Sequence, residues 1–338
     1  MPELRKDPVV GRWVIIATER ARRPGNFVDT TYIRPQGGAK DCQFCHPSEK
    51  IIYSAKKSAS SSNWDVCVTD FKESFLNMNE PIAHKRHGLY EVVNGVGTHE
   101  VVIETSTHVA NMADLGLEQI RLIFETYAGR ITELEKNPQL QYVLPYKNYS
   151  QMAGSRMIGH TRSHIIATPV NPVRVNEKLT GAKEYFDTKK RCIYCDLIKQ
   201  DLEEKSRIVV ETEHFLAVIP FAARFLFETW ILPKKHHCDY ASGVKGVEGD
   251  LALMMKTLLT KFKVGLDDPA YNYVIHTAPF RRMQLNTNRW ATIEQDFHWH
   301  MELMPQLTLM AGFEKGTGFY ICAVPPEQMA EYLREIII

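Results

Sequence analysis

Along the 338-residue chain, hydrophobic positions repeat with strand and helix periods in an order that occurs twice. Residues 12–17 predict a short strand, and residues 89–105 are strand-like, with Glu100-Val-Val-Ile-Glu104 alternating before the chain reaches His108. Leu117, Ile120, Ile123, Phe124 and Tyr127 then recur at helical spacing and predict a helix over residues 117–136. A strand at 142–146 leads through an Asn, Ser and Gly-containing loop to His160-Thr-Arg-Ser-His164. In the second half, strands at 215–219 and 229–233 lead to His236-His237, a helix covers 250–264, and a strand at 272–276 precedes Phe297-His-Trp-His-Met-Glu302. A period of two puts His298, His300 and Glu302 on one face of that last stretch, with Trp299, Met301 and Leu303 on the other. One face can carry chemistry while the other packs.

The repeat extends to the cysteines. Cys42-Gln-Phe-Cys45 opens the first series and Cys192-Ile-Tyr-Cys195 the second, and each pair is followed by a histidine and then by a paired-histidine strand. Cys42, Cys45, His108 and His160 form one candidate tetrahedral zinc set. Cys192, Cys195, His236 and His298 form the other, with His237 able to substitute for its neighbour. Two structural zinc ions are the expected cofactors, since four protein ligands leave no open coordination position. The expected division is a first module over residues 1–175 and a second over 185–338, meeting in the connection at 172–190.

Composition changes this picture little. The chain is 44% hydrophobic and 24% charged, an ordinary globular make-up, and its 41 basic residues nearly balance 40 acidic ones. No overall field favours nucleic acid or a membrane surface, so an anionic ligand needs a local site. No signal core or spanning segment is read, and a cytoplasmic protein is expected. Arg20 and Arg23, in a basic loop beside the first strand, are candidate phosphate contacts, as are Asn77, Asn148, Ser155, Arg156 and Arg162.

The opening Leu4-Arg-Lys-Asp-Pro-Val-Val-Gly-Arg-Trp13, both cysteine pairs, Tyr146-Lys-Asn148 and the stretch from Phe297 to Thr308 resemble the galactose-1-phosphate uridylyltransferase family, of the histidine-triad superfamily. The resemblance covers nearly the whole chain. It implies an α+β fold of two fused histidine-triad-like modules, antiparallel sheets carrying helices. It also implies a ping-pong nucleotidyltransferase in which a histidine attacks the α-phosphate, holds the nucleotide covalently and passes it to a second phosphate. The implied partners are a nucleotide or nucleotide-sugar and a phosphate acceptor, within nucleotide-sugar or galactose metabolism. A homodimer is left open.

Two departures from the family pattern bear on activity. The family's first-half motif is His-x-His-x-Gln with the middle histidine attacking, whereas this chain has His160, Arg162 and His164, and arginine offers no lone pair to phosphorus. The leading expectation is therefore that His300, beside Glu302, supplies the nucleophile from the second half. The alternatives are His164 as nucleophile or acid with Arg162 as a phosphate clamp, and a non-catalytic nucleotide-binding protein; on the family pattern His300 and Glu302 would be a structural pair. At the acceptor end Gln306 is a further candidate substrate contact, and Phe313 and Glu314 belong to a core kept from the family's sugar-contacting segment, but the lysine near Thr308 and glutamine near Tyr320 of the galactose-specific enzymes are absent. That end resembles the branch containing ADP-glucose phosphorylase, and an adenylyl-sulfate:phosphate adenylyltransferase is a further alternative.

Overall fold

The protein is represented by a computed structural model, which describes residues 2–18, 38–47, 49–57, 64–155, 159–281 and 290–338. Its centre is one sheet of ten strands. The first half supplies β3 (Ile51–Ala55), β4 (Val66–Asp70), β7 (Thr98–Ile103), β8 (Tyr142–Tyr149) and β9 (Arg162–Thr168). The second supplies β10 (Ile208–Glu211), β11 (Phe215–Val218), β12 (Thr229–Pro233), β13 (Tyr271–His276) and β14 (His300–Pro305). Their order is β10-β11-β12-β14-β13-β8-β9-β7-β4-β3, so the halves meet where β13 and β8 pair antiparallel and each reads outward in the same way. This is the α+β fold of two fused modules. A small sheet joins β1 (Glu3–Lys6) and β2 (Trp13–Ile16) to β15 (Tyr320–Cys322), and β5 (His84–His87) pairs with β6 (Tyr90–Val93) in a separate hairpin.

The helices are α1 (Leu117–Glu135), α2 (Val173–Lys189), α3 (Ile193–Glu204), α4 (Tyr240–Gly243), α5 (Glu248–Gly265), α6 (Ile293–Asp296), α7 (Gly312–Thr317) and α8 (Pro326–Glu335). Among the described residues none is long and apolar enough to cross a membrane. One face of the sheet is covered from end to end. Ile120, Ile123, Phe124 and Tyr127 of α1 share a core with Val102, Val143 and Ile165, and Met255, Leu258 and Phe262 of α5 continue it over Phe215, Ile231 and Met301. Each such side chain contributes about 1.5–3 kcal/mol by leaving water. Trp299, Met301 and Leu303 lie in this core, as the alternation predicts.

Among the described residues, helices cover the opposite face over the second half alone, while over the first half Phe44 and Cys42 pack on Cys67, Val101 and Ile103 at its outer strands. In the second half Val175, Leu179 and Ala182 of α2 and Ile193, Tyr194 and Ile198 of α3 pack on Leu216, Val218, Trp230 and Leu232. The predicted connection at 172–190 is thus mostly helix α2, and sequence reading missed that it lies across a module. It is seated closely: a Cβ on Gly181 would stand 1.7 Å from the carbonyl oxygen of Val9. Two other expectations shift. The run at 89–105 divides into β6 and β7, because Gly97 takes a φ of 153° that other residues avoid. His298 precedes β14, which starts at His300.

Candidate active site and metal centres

Each cysteine pair meets its two histidines. In the first half Cys45 Sγ lies 3.3 Å from His108 Nδ1 and 3.4 Å from His160 Nδ1, and Cys42 Sγ is 3.5 Å from His160 Nδ1. In the second, Cys195 Sγ is 3.3 Å from His236 Nδ1 and 3.6 Å from His298 Nδ1. All four donor atoms in each set lie within 4.8 Å of one another. Bonds of usual zinc length at a tetrahedral angle would put sulfur and nitrogen about 3.5 Å apart, which these spacings match. The outer nitrogens agree. His160 Nε2 is 2.9 Å from Thr105 O, His236 Nε2 3.0 Å from Glu294 O and His298 Nε2 2.9 Å from Pro233 O, each placing the proton on Nε2 and a lone pair on Nδ1. Among the described residues His236, and not His237, joins the second set.

Beside that small core of Phe44 and Cys42, the same face of the first half holds a cleft of about 250 Å³. Strand register explains which side chains reach it. His164 of β9 stands opposite Tyr146 of β8 and Val101 of β7, so Arg162, His99 and Asn148, two positions away on their own strands, share that face. His99, Tyr146, Asn148, Arg162 and His164 line the cleft together with Ser155, Phe44 and Phe71. Ser150, at φ 72°, and Gly154, at φ 86°, turn the loop that presents Ser155. The Arg162 guanidinium lies 4.8 Å above the Phe44 ring, and it donates to Ser155 Oγ at 2.9 Å and His160 O at 3.2 Å. Arg162 therefore reaches the cleft as a fixed cation.

His164 stacks on Tyr146 with ring centres 5.2 Å apart, and its Nδ1 is 3.1 Å from His99 Nε2. Burial lowers His99 to about 4. Burial, with help from His99, Arg162 and Lys147, lowers His164 to about 3, so both rings are neutral near pH 7. Beneath the cleft Lys147 Nζ, fully buried, donates to Glu104 Oε2 at 2.5 Å and to Thr161 Oγ1 at 2.8 Å. From the second half Asn272 Nδ2 donates to Asn148 Oδ1 at 2.7 Å, and Gln306 Nε2 to Asn272 Oδ1 at 2.8 Å. Gln306 thereby supports the cleft wall without lining it.

The equivalent face of the second half is filled. His300 is fully buried, with Nδ1 2.9 Å from His298 O and Nε2 2.9 Å from Lys178 Nζ of α2. Glu302 accepts from Lys178 at 2.6 Å and Arg224 at 2.7 Å, and His276 Nε2 is 3.5 Å away. Burial would raise the Glu302 carboxyl, but Arg224, Lys178 and His276 outweigh it and hold it well below the carboxylate range. Burial, then Lys178 and His276, likewise keep His300 neutral. This placement is at odds with the expectation that His300 attacks phosphate and that Glu302 assists. Both ring nitrogens are engaged, and Tyr194, Trp230 and His276 enclose the ring. His276, His300 and Glu302 could be taken for a third metal set, but a lysine ammonium already stands among them.

Of the other expected ligand contacts, Arg20, Arg23 and Arg156 lie outside the described residues. Asn77, Phe313 and Glu314 do not line the cleft. Asn77 Oδ1 accepts from Asn79 N at 2.9 Å, and Glu314 closes the first turn of α7 by accepting from Ala311 N at 2.8 Å. His99, Lys178 and Arg224 were missed. Alternation could have placed His99 beside Val101, while nothing local ties Lys178 or Arg224 to β14.

The fold and the two Cys₂His₂ sets define a fused pair of histidine-triad-like modules, and sequence profiles assign them. The galactose-1-phosphate uridyl transferase N-terminal domain matches residues 1–164 and the C-terminal domain residues 178–314, and the chain belongs to that family. It is 34% identical to an ADP-glucose phosphorylase of Arabidopsis thaliana, over 99% of this chain and 93% of that one. It is 27% identical to a Thermotoga maritima galactose-1-phosphate uridylyltransferase, over 99% and 98%. A crystal structure of an Arabidopsis thaliana ADP-glucose phosphorylase with bound ADP-glucose superposes with a TM-score of 0.81 at 32% identity, covering both chains fully.

Proposed function

We propose that the protein transfers a nucleotidyl group from a nucleoside diphosphate-sugar to a phosphate acceptor, in the cleft of the first half. The observation that carries this reading is the convergence of Arg162, Ser155, Asn148 and His164 on an open face, in a chain 34% identical to an ADP-glucose phosphorylase. Guanidinium suits phosphate because its fork matches two oxygens, and fixed donors aimed at developing charge lower the barrier. Arg20, Arg23 and Arg156 are proposed as further phosphate contacts. Inorganic phosphate is the favoured acceptor. Tyr320, near where the galactose-specific enzymes carry a glutamine, is buried with its hydroxyl accepting from Arg174 at 3.3 Å, which leaves little there for a hexose phosphate.

Cys42, Cys45, His108 and His160, and Cys192, Cys195, His236 and His298, would each hold a zinc ion. The ions would supply rigidity, tying each C-x2-C turn to the approach of β9 or β14. His300 and Glu302 are read as structural. A second reading, a nucleotide-binding protein without transfer, is favoured by one observation: a guanidinium stands where the family's attacking histidine is expected.

Phosphorus NMR of the protein incubated with ADP-glucose or UDP-glucose and inorganic phosphate separates the two. The transfer reading expects a nucleoside diphosphate and glucose 1-phosphate to appear. Calorimetric binding of either nucleotide without turnover would establish the binder instead.

A further inference from the structure

We propose that transfer in this cleft is a single displacement without a nucleotidyl-histidine, in which His99 holds His164 as a hydrogen-bond donor to the transferring phosphate. The proposal rests on the assignment of the reaction to the first-half cleft. Two imidazoles line that cleft, His99 and His164, and the hydrogen bond between them decides what His164 can do.

Both rings are neutral, so each has one N–H, and a single proton lies between His99 Nε2 and His164 Nδ1. His99 Nδ1 is buried and has no hydrogen-bond partner among the described residues, with Phe71 and Phe75 against its ring at 4.5 and 5.3 Å between centres. Were His164 Nδ1–H the donor, His99 would carry its own proton on Nδ1 and bury an unpaired N–H. Orphaned buried donors of that kind are rare. Were His99 Nε2–H the donor, Nδ1 would keep only a lone pair. Tyr146 hydroxyl, 3.5 Å from His99 Nε2, can turn its own lone pair to the same proton. The second arrangement puts the proton of His164 on Nε2 and removes the lone pair an attack would need.

Charge points the same way. Attack by His164 would create a cationic phospho-imidazole, and the cations already acting on that ring are Arg162 and Lys147. Donation of Nε2–H to a phosphate oxygen adds no positive charge. In the resulting step an oxygen of hydrogen phosphate attacks the α-phosphorus in line. One P–O bond forms, the bond from the α-phosphorus to the bridging oxygen breaks, and the sugar 1-phosphate leaves with that oxygen and the electron pair. The acceptor's proton passes to solvent, so the two substrates alone are consumed.

Three measurements on the intact protein test this. With ADP-glucose made chiral by sulfur at the α-phosphorus, and inorganic phosphate as acceptor, the product is expected with inverted configuration; retention would overturn the single displacement. Histidine ¹⁵N NMR at neutral pH is expected to find His164 protonated on Nε2, and this tautomer lost in His99→Phe; a protonated Nδ1 in the wild type overturns the proposal even if neither sugar nucleotide reacts. Absence of turnover with both donors would refute the transfer reading itself, and the NMR result would still decide the His99 contact. In turnover, His99→Phe is expected to lower kcat about 10²-fold with KM for phosphate unchanged, and His99→Gln, which keeps a donor, to recover most of it. Equal losses in both variants with raised KM would reduce His99 to a packing residue.

Discussion

The two halves lay the same five strands in the same order, yet they use the equivalent face in opposite ways. In the first, Arg162 and His164 of β9 look into an open cleft; in the second, His300 and Glu302 of β14 look into α2 and are met by Lys178. Both halves keep a Cys₂His₂ set at the matching place. The repeat thus copies the scaffold and its metal ligands, while function depends on what covers the sheet. Charge follows the cover. The second half buries Glu302 between Lys178 and Arg224, whereas the first brings its arginine to a cleft that can admit an anion.

The largest expected effect falls on what the halves share. Elemental analysis should find two zinc ions per chain, and about one after either Cys42→Ala or Cys195→Ala. A structural zinc contributes on the order of 10 kcal/mol, so either variant should lose cooperative unfolding near neutral pH. Unchanged zinc content in one variant removes that site and the symmetry with it.

Lys178→Met breaks the comparison from the second half. It should lower unfolding free energy by about 3 kcal/mol, the low end for a buried pair that loses one partner, because Arg224 still meets Glu302. Denaturant titration checks this, and no change would mean the ammonium is not what seals that face. A pH series sharpens the first half. His99 and His164 are depressed on folding to about 4 and about 3, so the unfolded chain takes up protons first. Their contribution is whole above about pH 6.5 and is lost as pH falls toward 4 and below. The slope of stability between pH 6.5 and 4 should be shallower in a His99→Phe, His164→Gln double variant. The smallest effect is expected from Asn272→Ala, which cuts the bridge from Gln306 to Asn148: about 1 kcal/mol in stability and a modest rise in KM for phosphate.

Much of this was legible along the chain. The helices at 117–136 and 250–264, the strand at 229–233 and both metal sets follow from local period and spacing, since each needs only residues close in sequence or a repeat to align. What escaped depends on contacts between distant segments. Alternation puts His300 and Glu302 on the polar face correctly, but only the tertiary path of α2, which sets Lys178 against them, turns that face into a sealed interior. The pairing of His99 with His164 likewise needs the register of β7 on β9.

The central claim, that the reaction belongs to the first half, is tested most directly by comparing phosphorolysis of ADP-glucose in Arg162→Gln and His300→Phe, each corrected for folded fraction. Arg162→Gln should lose 10²- to 10³-fold in kcat, about 2.7–4 kcal/mol of transition-state stabilisation, while folded His300→Phe should stay within a few-fold of wild type. Loss of turnover in folded His300→Phe, with Arg162→Gln active, would move the active site to the second half and contradict the account.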